Sequence, residues 1–427
     1  MRKYDSYKDS GINWVQEIPN HWGKNKFKFL FNEKKSTPNP TLNSGSISFG
    51  EVIYKDDESI TESTKLSYQE VLEGEFLINP LNLNYDLKSL RISRSKINVV
   101  VSQGYIVLLL VSKDNPEYFK FLLRDFDIRH LKSLGSGVRQ TISFTHLLSE
   151  ELPLPPLSEQ QQIVSYLDTK TSQIDTLIEK TKLKIQLLKE NRTSLINEVV
   201  TKGLNPNVEM KDSGVEWIGE IPSHFQLISI KHLVTTKVTD GPHLTPIFQD
   251  TGIPFLSVEG VVGNQIDFKK VRGFISIEDH LEFSKKCKPK RNDVLLVKSG
   301  STTGKSTIVE TDLEFNIWSP LCIIRSNETK ILPKFTFQTF QSGYFKLMIE
   351  NNWSYGTQPN IGMGVIENLR IVVPPIFEQN EIVSYLNEHT QLFDKTISVE
   401  ERRIDTLIEY RQSLISEVVT GKRKVVD

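Results

Sequence analysis

Cysteine is nearly absent. Cys287 and Cys322 are the only two in 427 residues, which excludes a disulfide framework and a cysteine-ligated zinc cluster. Net charge is absent too: 52 Lys and Arg face 53 Asp and Glu, so no overall field marks a nucleic-acid or membrane partner, and any binding charge must be local. The longest apolar run, residues 105–111, is far short of the roughly 20 residues that cross a bilayer. Met1-Arg2-Lys3-Tyr4-Asp5 leads into no apolar signal core, so a cytoplasmic chain with no membrane partner is expected. With 38% hydrophobic and 25% charged residues the chain folds rather than staying disordered. It is long enough for two or three domains.

Catalytic signatures are missing as well. Gly300-Ser301-Thr302-Thr303-Gly304-Lys305-Ser306 approaches a phosphate loop, but it has three residues between the glycines where the motif needs four, and no convincing helix follows. Asn79-Pro80-Leu81-Asn82 lacks the second proline and the aromatic of an adenine methyltransferase motif, and Glu33-Lys34-Lys35 is a lone E-x-K without a partnered Asp. The eight histidines form no H-x-x-x-H pair; His21 and His224 recur in a repeated motif, where a structural hydrogen bond is the expected role. No active site, metal site or cofactor site is expected on this chain.

What is present is repetition. Residues 9–22, from Asp9-Ser10-Gly11 through Trp14 and Glu17-Ile18-Pro19 to His21-Trp22, return as residues 212–225 with eight of fourteen positions identical. Residues 154–167, containing Pro155-Pro156, Glu159-Gln160 and Ile163-Val164-Ser165-Tyr166-Leu167, return at an offset of 219 as residues 373–386 with nine of fourteen identical. Residues 192–201 return at the same offset as 411–420, with eight of ten identical. The unit is a short Trp-Ile-Pro segment, a poorly repeated stretch, then a well-repeated stretch of about 45 residues.

The well-repeated stretches read as long helices approached by Pro155-Pro156 and Pro374-Pro375, with Ser158 and Gln161 spaced as a capping box. In heptads, Val164, Ile178, Ile185 and Val199 take position a, and Leu167, Ile174, Leu188 and Leu195 take d. The second copy gives Val383, Ile397, Ile404 and Val418 at a, with Leu386, Phe393, Leu407 and Leu414 at d. Thr171 with Thr390, Thr181 with Glu400, and Arg192 with Arg411 are the polar exceptions, and they coincide between copies. A helix of that length exceeds what one small domain covers, so the two helices are expected to pair. The short link after Thr201 favours an antiparallel pair, and places residues 421–427 near residues 1–22. The variable regions read as mixed α/β, with strands at residues 76–78, 99–101, 105–110, 294–297 and 321–324. Gly137-Val138-Arg139-Gln140-Thr141-Ile142 aligns with Gly356-Thr357-Gln358-Pro359-Asn360-Ile361, the trace of one divergent fold.

The expected fold is therefore α+β: two mixed α/β domains separated by two long antiparallel coiled-coil helices, in a pseudo-two-fold internal repeat. The boundaries are residues 1–153 for the first domain, 154–203 for the first helix, 204–372 for the linker and second domain, and 373–427 for the second helix and tail.

Charge is placed locally. Lys285, Lys286, Lys288, Lys290 and Arg291 fall within seven residues, followed by Lys298 and Lys305. In the first domain Lys88, Arg91, Arg94 and Lys96 alternate with Leu90 and Ile92, and Arg139 follows. Such clusters neutralise phosphates, and Arg and Gln in loops read base edges. A solvated basic face is an equal reading of charge alone, but two related domains on a spacer suit a split target.

The order of variable domain, P-P-L-x-E-Q helix, Val200-Thr201-Lys202-Gly203-Leu204-Asn205-Pro206 linker, D-S-G-x-x-W-x-x-x-I-P segment, second domain and second helix resembles the specificity subunit of Type I restriction-modification enzymes. The resemblance covers essentially the whole chain and is most specific at residues 154–167, 200–225 and 373–386. It implies a non-catalytic subunit whose two target recognition domains bind an interrupted site in double-stranded DNA. The helices would set the gap and dock two methyltransferase subunits that methylate adenine. S-adenosylmethionine, ATP and magnesium would then sit on partner subunits, with restriction and translocase subunits completing a cleaving complex. Departures are small: Arg139 stands where the second copy has Gln358, and Thr201-Lys202-Gly203 where it has Thr420-Gly421-Lys422. Two rivals stay open, a coiled-coil scaffold without a DNA role and a self-sufficient nuclease or methyltransferase with an unrecognised site.

Overall fold

The computed structural model describes residues 2–57, 60–81, 90–134, 141–356 and 358–425. They form two compact units, one of residues 1–181 with 402–427 and the other of residues 182–401. The first long helix, Leu157–Lys202, and the second, Ile376–Val419, each contribute one half to each unit.

In the first unit a four-stranded antiparallel sheet is built from β1 (Phe31–Glu33), β2 (Phe76–Ile78), β3 (Ile92–Arg94) and β4 (Ile106–Leu110), in the order β1-β4-β2-β3. Successive side chains of a strand point to opposite faces, and here both faces are covered. Phe76, Ile78, Ile106 and Leu108 join a core with the helix Pro116–Arg129 and the long-helix residues Leu167, Ile174, Leu414 and Val418. Leu77 and Val107 face a smaller cluster with Val52, Val71, Val99 and Val101. Aromatic rings fill the larger core: Phe31 lies 5.1 Å from Phe119 and 5.5 Å from Phe76, edge to face.

The second unit repeats this plan with β5 (Thr239–Asp240), β6 (Val294–Val297), β7 (Ser306–Ile308) and β8 (Leu321–Ile324), in the order β5-β8-β6-β7. Val294, Leu296, Ile308 and Cys322 face the core that contains Val199, Val383 and Leu386 of the long helices, while Leu295, Val297, Leu321 and Ile323 face a separate cluster. In strand order along the chain, both sheets read first, fourth, second, third. That shared topology accounts for the faint kinship of the two variable regions. Residues 105–110 begin as a strand one residue later than expected, at Ile106.

The long helices contain neither proline nor glycine, and each stops at a glycine in the left-handed region, Gly203 (φ +72°) and Gly421 (φ +74°). A Cβ on Gly421 would come within 2.3 Å of Pro19 Cδ, so only glycine lets the Trp-Ile-Pro segment cover this helix end. The glycine arrives one repeat position earlier in the second copy, and that helix ends earlier with it. Beyond it the tail returns to the start of the chain, where the Lys424 N–H donates to the Arg2 carbonyl at 3.0 Å. Ser158 makes no capping hydrogen bond; the first helix begins at Leu157, and Gln160 takes over the work at its start, as described below.

Candidate nucleic-acid interface

Two residues of each P-P-x-x-E-Q motif join three elements. In the first unit Gln160 Nε2 donates to the Pro155 carbonyl at 3.0 Å and Gln160 Oε1 accepts from the Asn115 N–H at 2.9 Å, tying the long helix to the start of helix Pro116–Arg129. In the second unit Gln379 Nε2 donates to the Pro374 carbonyl at 2.8 Å, and its Oε1 accepts from the Leu332 N–H at 2.8 Å, before helix Pro333–Gln341. Glu159 meets His21 at 2.9 Å and Glu378 meets His224 at 2.8 Å. The recurring histidines are therefore structural, holding the Trp-Ile-Pro segments against the helix starts. Both glutamines are fully buried, so each amide must find partners inside the protein.

The seam residues lie inward in both units. Leu167, Ile174, Ile178, Ile185, Val199, Val383, Leu386, Ile397, Leu414 and Val418 are buried, while Val164, Leu188, Leu195, Phe393, Ile404 and Leu407 are half-buried. The polar exceptions find hydrogen-bond or ion-pair partners. The Thr390 hydroxyl donates to the Leu386 carbonyl at 2.6 Å and that of Thr181 to the Leu177 carbonyl at 2.7 Å. Arg411 pairs with Asp175 at 3.0 Å in the first unit and Arg192 with Asp394 at 3.0 Å in the second, the same pair at an offset of 219. Lys184 adds a 2.5 Å contact to Glu400. Heptad counting missed a second stripe: Ile163, Ile196, Val200, Ile382, Ile415 and Val419 are also buried and belong to the domain cores. Their repetition between copies was the available signal.

The basic clusters are less free than the sequence alone suggested. Arg91 is buried, its Nε 3.1 Å from Asp127 Oδ1, and so is withdrawn from any phosphate-facing set. Burial lifts the Asp127 carboxyl above its usual range, against the pull of Arg91. Arg94 pairs with Glu117, and Lys96 with Glu51 at 3.4 Å. In the second unit Lys285 meets Glu282, Lys288 meets Glu314 and Arg291 meets Asp312, at 2.5, 2.5 and 2.6 Å. Lys286 and the buried Lys298 converge on Asp240 at 2.6 and 3.2 Å. Burial would raise the Asp240 carboxyl, but these two ammonium groups outweigh it and hold it low. Lys305 donates to the Val261 carbonyl at 2.7 Å, and Lys290 is exposed. Lys88 and Arg139 lie outside the described residues. The run from Lys285 to Arg291 is thus a set of ion pairs rather than a bare positive patch. Sequence reading missed this because the carboxylates come from up to 46 residues away.

No reactive thiol emerges, since burial pushes Cys287 up to about 11 and Cys322 higher still. The Gly300–Lys305 turn joins β6 to strand β7, not to a helix, which removes the phosphate-loop geometry. Among the described residues no helix is long and apolar enough to cross a membrane.

Comparison with known proteins bears on this geometry. Residues 91–187 and 225–409 match the family model described as Type I restriction modification DNA specificity domain. A Methanocaldococcus jannaschii protein named as the specificity subunit of type I restriction enzyme MjaX is 24% identical over 99% of this chain and 98% of its own length. The EcoBI specificity subunit of Escherichia coli is 24% identical over 73% of this chain and 66% of its own. A solved structure from work on complex assembly and conformational transition of the type I R-M system shares the fold, with a TM-score of 0.68 at 15% identity, covering 95% of this chain and 99% of that one.

Proposed function

We propose, from the premise that this chain belongs to the type I restriction-modification DNA specificity family, that each unit reads one half of an interrupted site in double-stranded DNA. The chain is a specificity subunit and not itself the enzyme. One observation carries the two-part reading: the same sheet order, tied to a long helix by the same Gln and Glu–His joint, occurs twice in one chain. A duplicated domain on a duplicated anchor suits a target with two separated parts. The long helices would pair as an antiparallel coiled coil with pseudo-two-fold symmetry, set the gap between half-sites, and dock two methyltransferase subunits. S-adenosylmethionine, with ATP and magnesium for restriction, would be held by partners, in the cytoplasm.

Exposed pairs such as Lys96–Glu51, Lys285–Glu282 and Arg291–Asp312 are screened by solvent and only weakly held, so phosphate can replace the carboxylate. With Lys290 they supply the backbone contacts of the proposal. The test is titration of duplex DNA carrying the methylated site with the chain and its methyltransferase subunit. Affinity should fall steeply with salt, and deletion of one heptad from each long helix should shorten the preferred gap. Binding indifferent to salt, or an unaltered gap, rejects the corresponding part.

A further inference from the structure

Two hairpins of the second unit meet at a polar tip that the core does not use. One connects β6 to β7; the other pairs Ser354–Tyr355 with Pro359–Asn360. Ser299 bridges Asn360, the Gly300 N–H donates to the Pro359 carbonyl at 3.0 Å, and the Ile361 N–H donates to the Lys298 carbonyl at 2.9 Å. The Thr303 hydroxyl, within 2.8 Å of the Gly300 carbonyl and 3.2 Å of the Pro359 carbonyl, sits at the crossing. Gly300 (φ +103°) and Gly304 (φ +91°) make the turn possible, and Gln358 Oε1 lies 3.8 Å from where a Cβ of residue 300 would stand. The crossing backbone is thus hydrogen-bonded. By contrast the exposed side chains of Ser301, Thr302, Gln358 and Asn360 have no hydrogen-bond partner among the described residues.

The first unit laces the corresponding segments in the same way. Leu81 bridges Thr141, and the Ile142 N–H donates to the Pro80 carbonyl at 3.1 Å. Ile142 and Ile361 are both buried, which anchors the alignment that sets Arg139 against Gln358. At the aligned sequence position the first copy has Arg139, outside the described residues, and the second has Gln358. These side chains make bidentate hydrogen bonds to guanine and to adenine, respectively, in the major groove.

We propose that the tip carrying Ser301, Thr302, Gln358 and Asn360 reads base edges in the half-site of the second unit, with Gln358 selecting adenine. This rests on the DNA-specificity reading above. None of these four side chains is charged, so they contribute discrimination rather than salt-dependent affinity. Cations stand beside the tip: Lys305 and Lys346 share with Thr302, Thr303 and Glu350 a cavity of about 430 Å³, and because Lys305 is held by the Val261 carbonyl, Lys346 is the one placed to meet a phosphate flanking the base.

The experiment uses the chain bound to its methyltransferase subunit, with methylated-site mapping and titration of the mapped duplex. Gln358→Ala should lower affinity for that duplex by about tenfold or more and relax one position of one half-site, leaving the salt slope unchanged. Gln358→Arg should move that position from adenine toward guanine, and Lys346→Ala should weaken all sequences alike, reducing the salt slope by about one. Gln358→Ala and Thr302→Ala variants that keep both site and affinity overturn the proposal. So does loss of the methyltransferase subunit with DNA binding intact, which would assign the tip to a protein contact. A wild-type complex that binds no DNA removes the family-level reading instead.

Discussion

Trp14 and Trp217 occupy the same place in the repeated segment, yet Trp14 is 7% exposed and Trp217 39%. The difference begins in the helix after the sheet. The first unit has one continuous helix, Pro116–Arg129, whose Phe126 lies 5.5 Å from Trp14. The second unit breaks at Ser342, whose hydroxyl accepts from the Phe345 N–H and starts a new helix, Gly343–Glu350. The rearranged surface leaves Trp217 on a groove of about 800 Å³ with Asn197, Tyr344 and Leu347. Residues 125 and 344 correspond at the offset of 219. In the first unit Asp125 receives hydrogen bonds from Gln412 and Ser416 of the long helix, at 3.4 and 3.3 Å; in the second, Asn197 accepts from the Tyr344 N–H at 2.8 Å. The joint of the domain to its helix is kept, while the face beside it has diverged.

The largest test of that contrast is at the tryptophans. Trp14→Ala should cost about 3–5 kcal/mol in denaturant unfolding, the range for emptying a core aromatic site, whereas Trp217→Ala should cost less than about 1 kcal/mol. Equal losses would erase the distinction.

Asp125 comes next. Burial pushes its carboxyl up to about 6, against the pull of Arg129 and Ser416, above the unfolded value of about 3.9. The folded state therefore favours the protonated form. The stability it contributes is fully present below about pH 4 and is lost as pH rises through about 6. Asp125→Asn should stabilise the chain at pH 7 by up to about 2–3 kcal/mol and gain nothing at pH 4. A difference between variant and wild type that does not grow across that window contradicts the assignment.

A smaller asymmetry is expected at the glutamates. Glu159 is buried and accepts hydrogen bonds from both His21 and the Tyr4 hydroxyl, while Glu378, more exposed, meets His224. Glu159→Ala should cost about 1–3 kcal/mol and Glu378→Ala less. The smallest contrast is between the glutamines: Gln160→Ala and Gln379→Ala should destabilise by similar amounts, about 1–3 kcal/mol each. Both bond a proline carbonyl and the N–H ahead of the next helix, and they differ only in a third partner, the Asp114 carboxylate in the first unit and the Lys330 carbonyl in the second. Unequal values would break the equivalence of the two joints.

The long helices were legible because a heptad pattern free of proline and glycine has few other solutions. The joints were half legible: Glu159, Gln160 and His21 all recur at their counterparts, but nothing in one sequence says that His21 meets a residue 138 positions later. Strands such as Val294–Val297, buried on both faces, show no alternation, so apolar runs revealed that strands exist but not their order. The charge clusters were the least legible. Five cations in seven residues are plain to read, whereas Asp240, Asp312 and Glu314, which pair with three of them, are brought in by the fold. The capping box at Ser158 had the right letters, but buried Gln160 already holds the helix start from within.

The central claim is that one chain reads two separate stretches of DNA for a methylating partner. Mapping methylated adenines in DNA from cells that carry this chain and its methyltransferase subunit tests it most directly. The account predicts a two-part motif with a gap of fixed length and unspecified bases. An uninterrupted motif, or methylation unaffected by removing the chain, would contradict it.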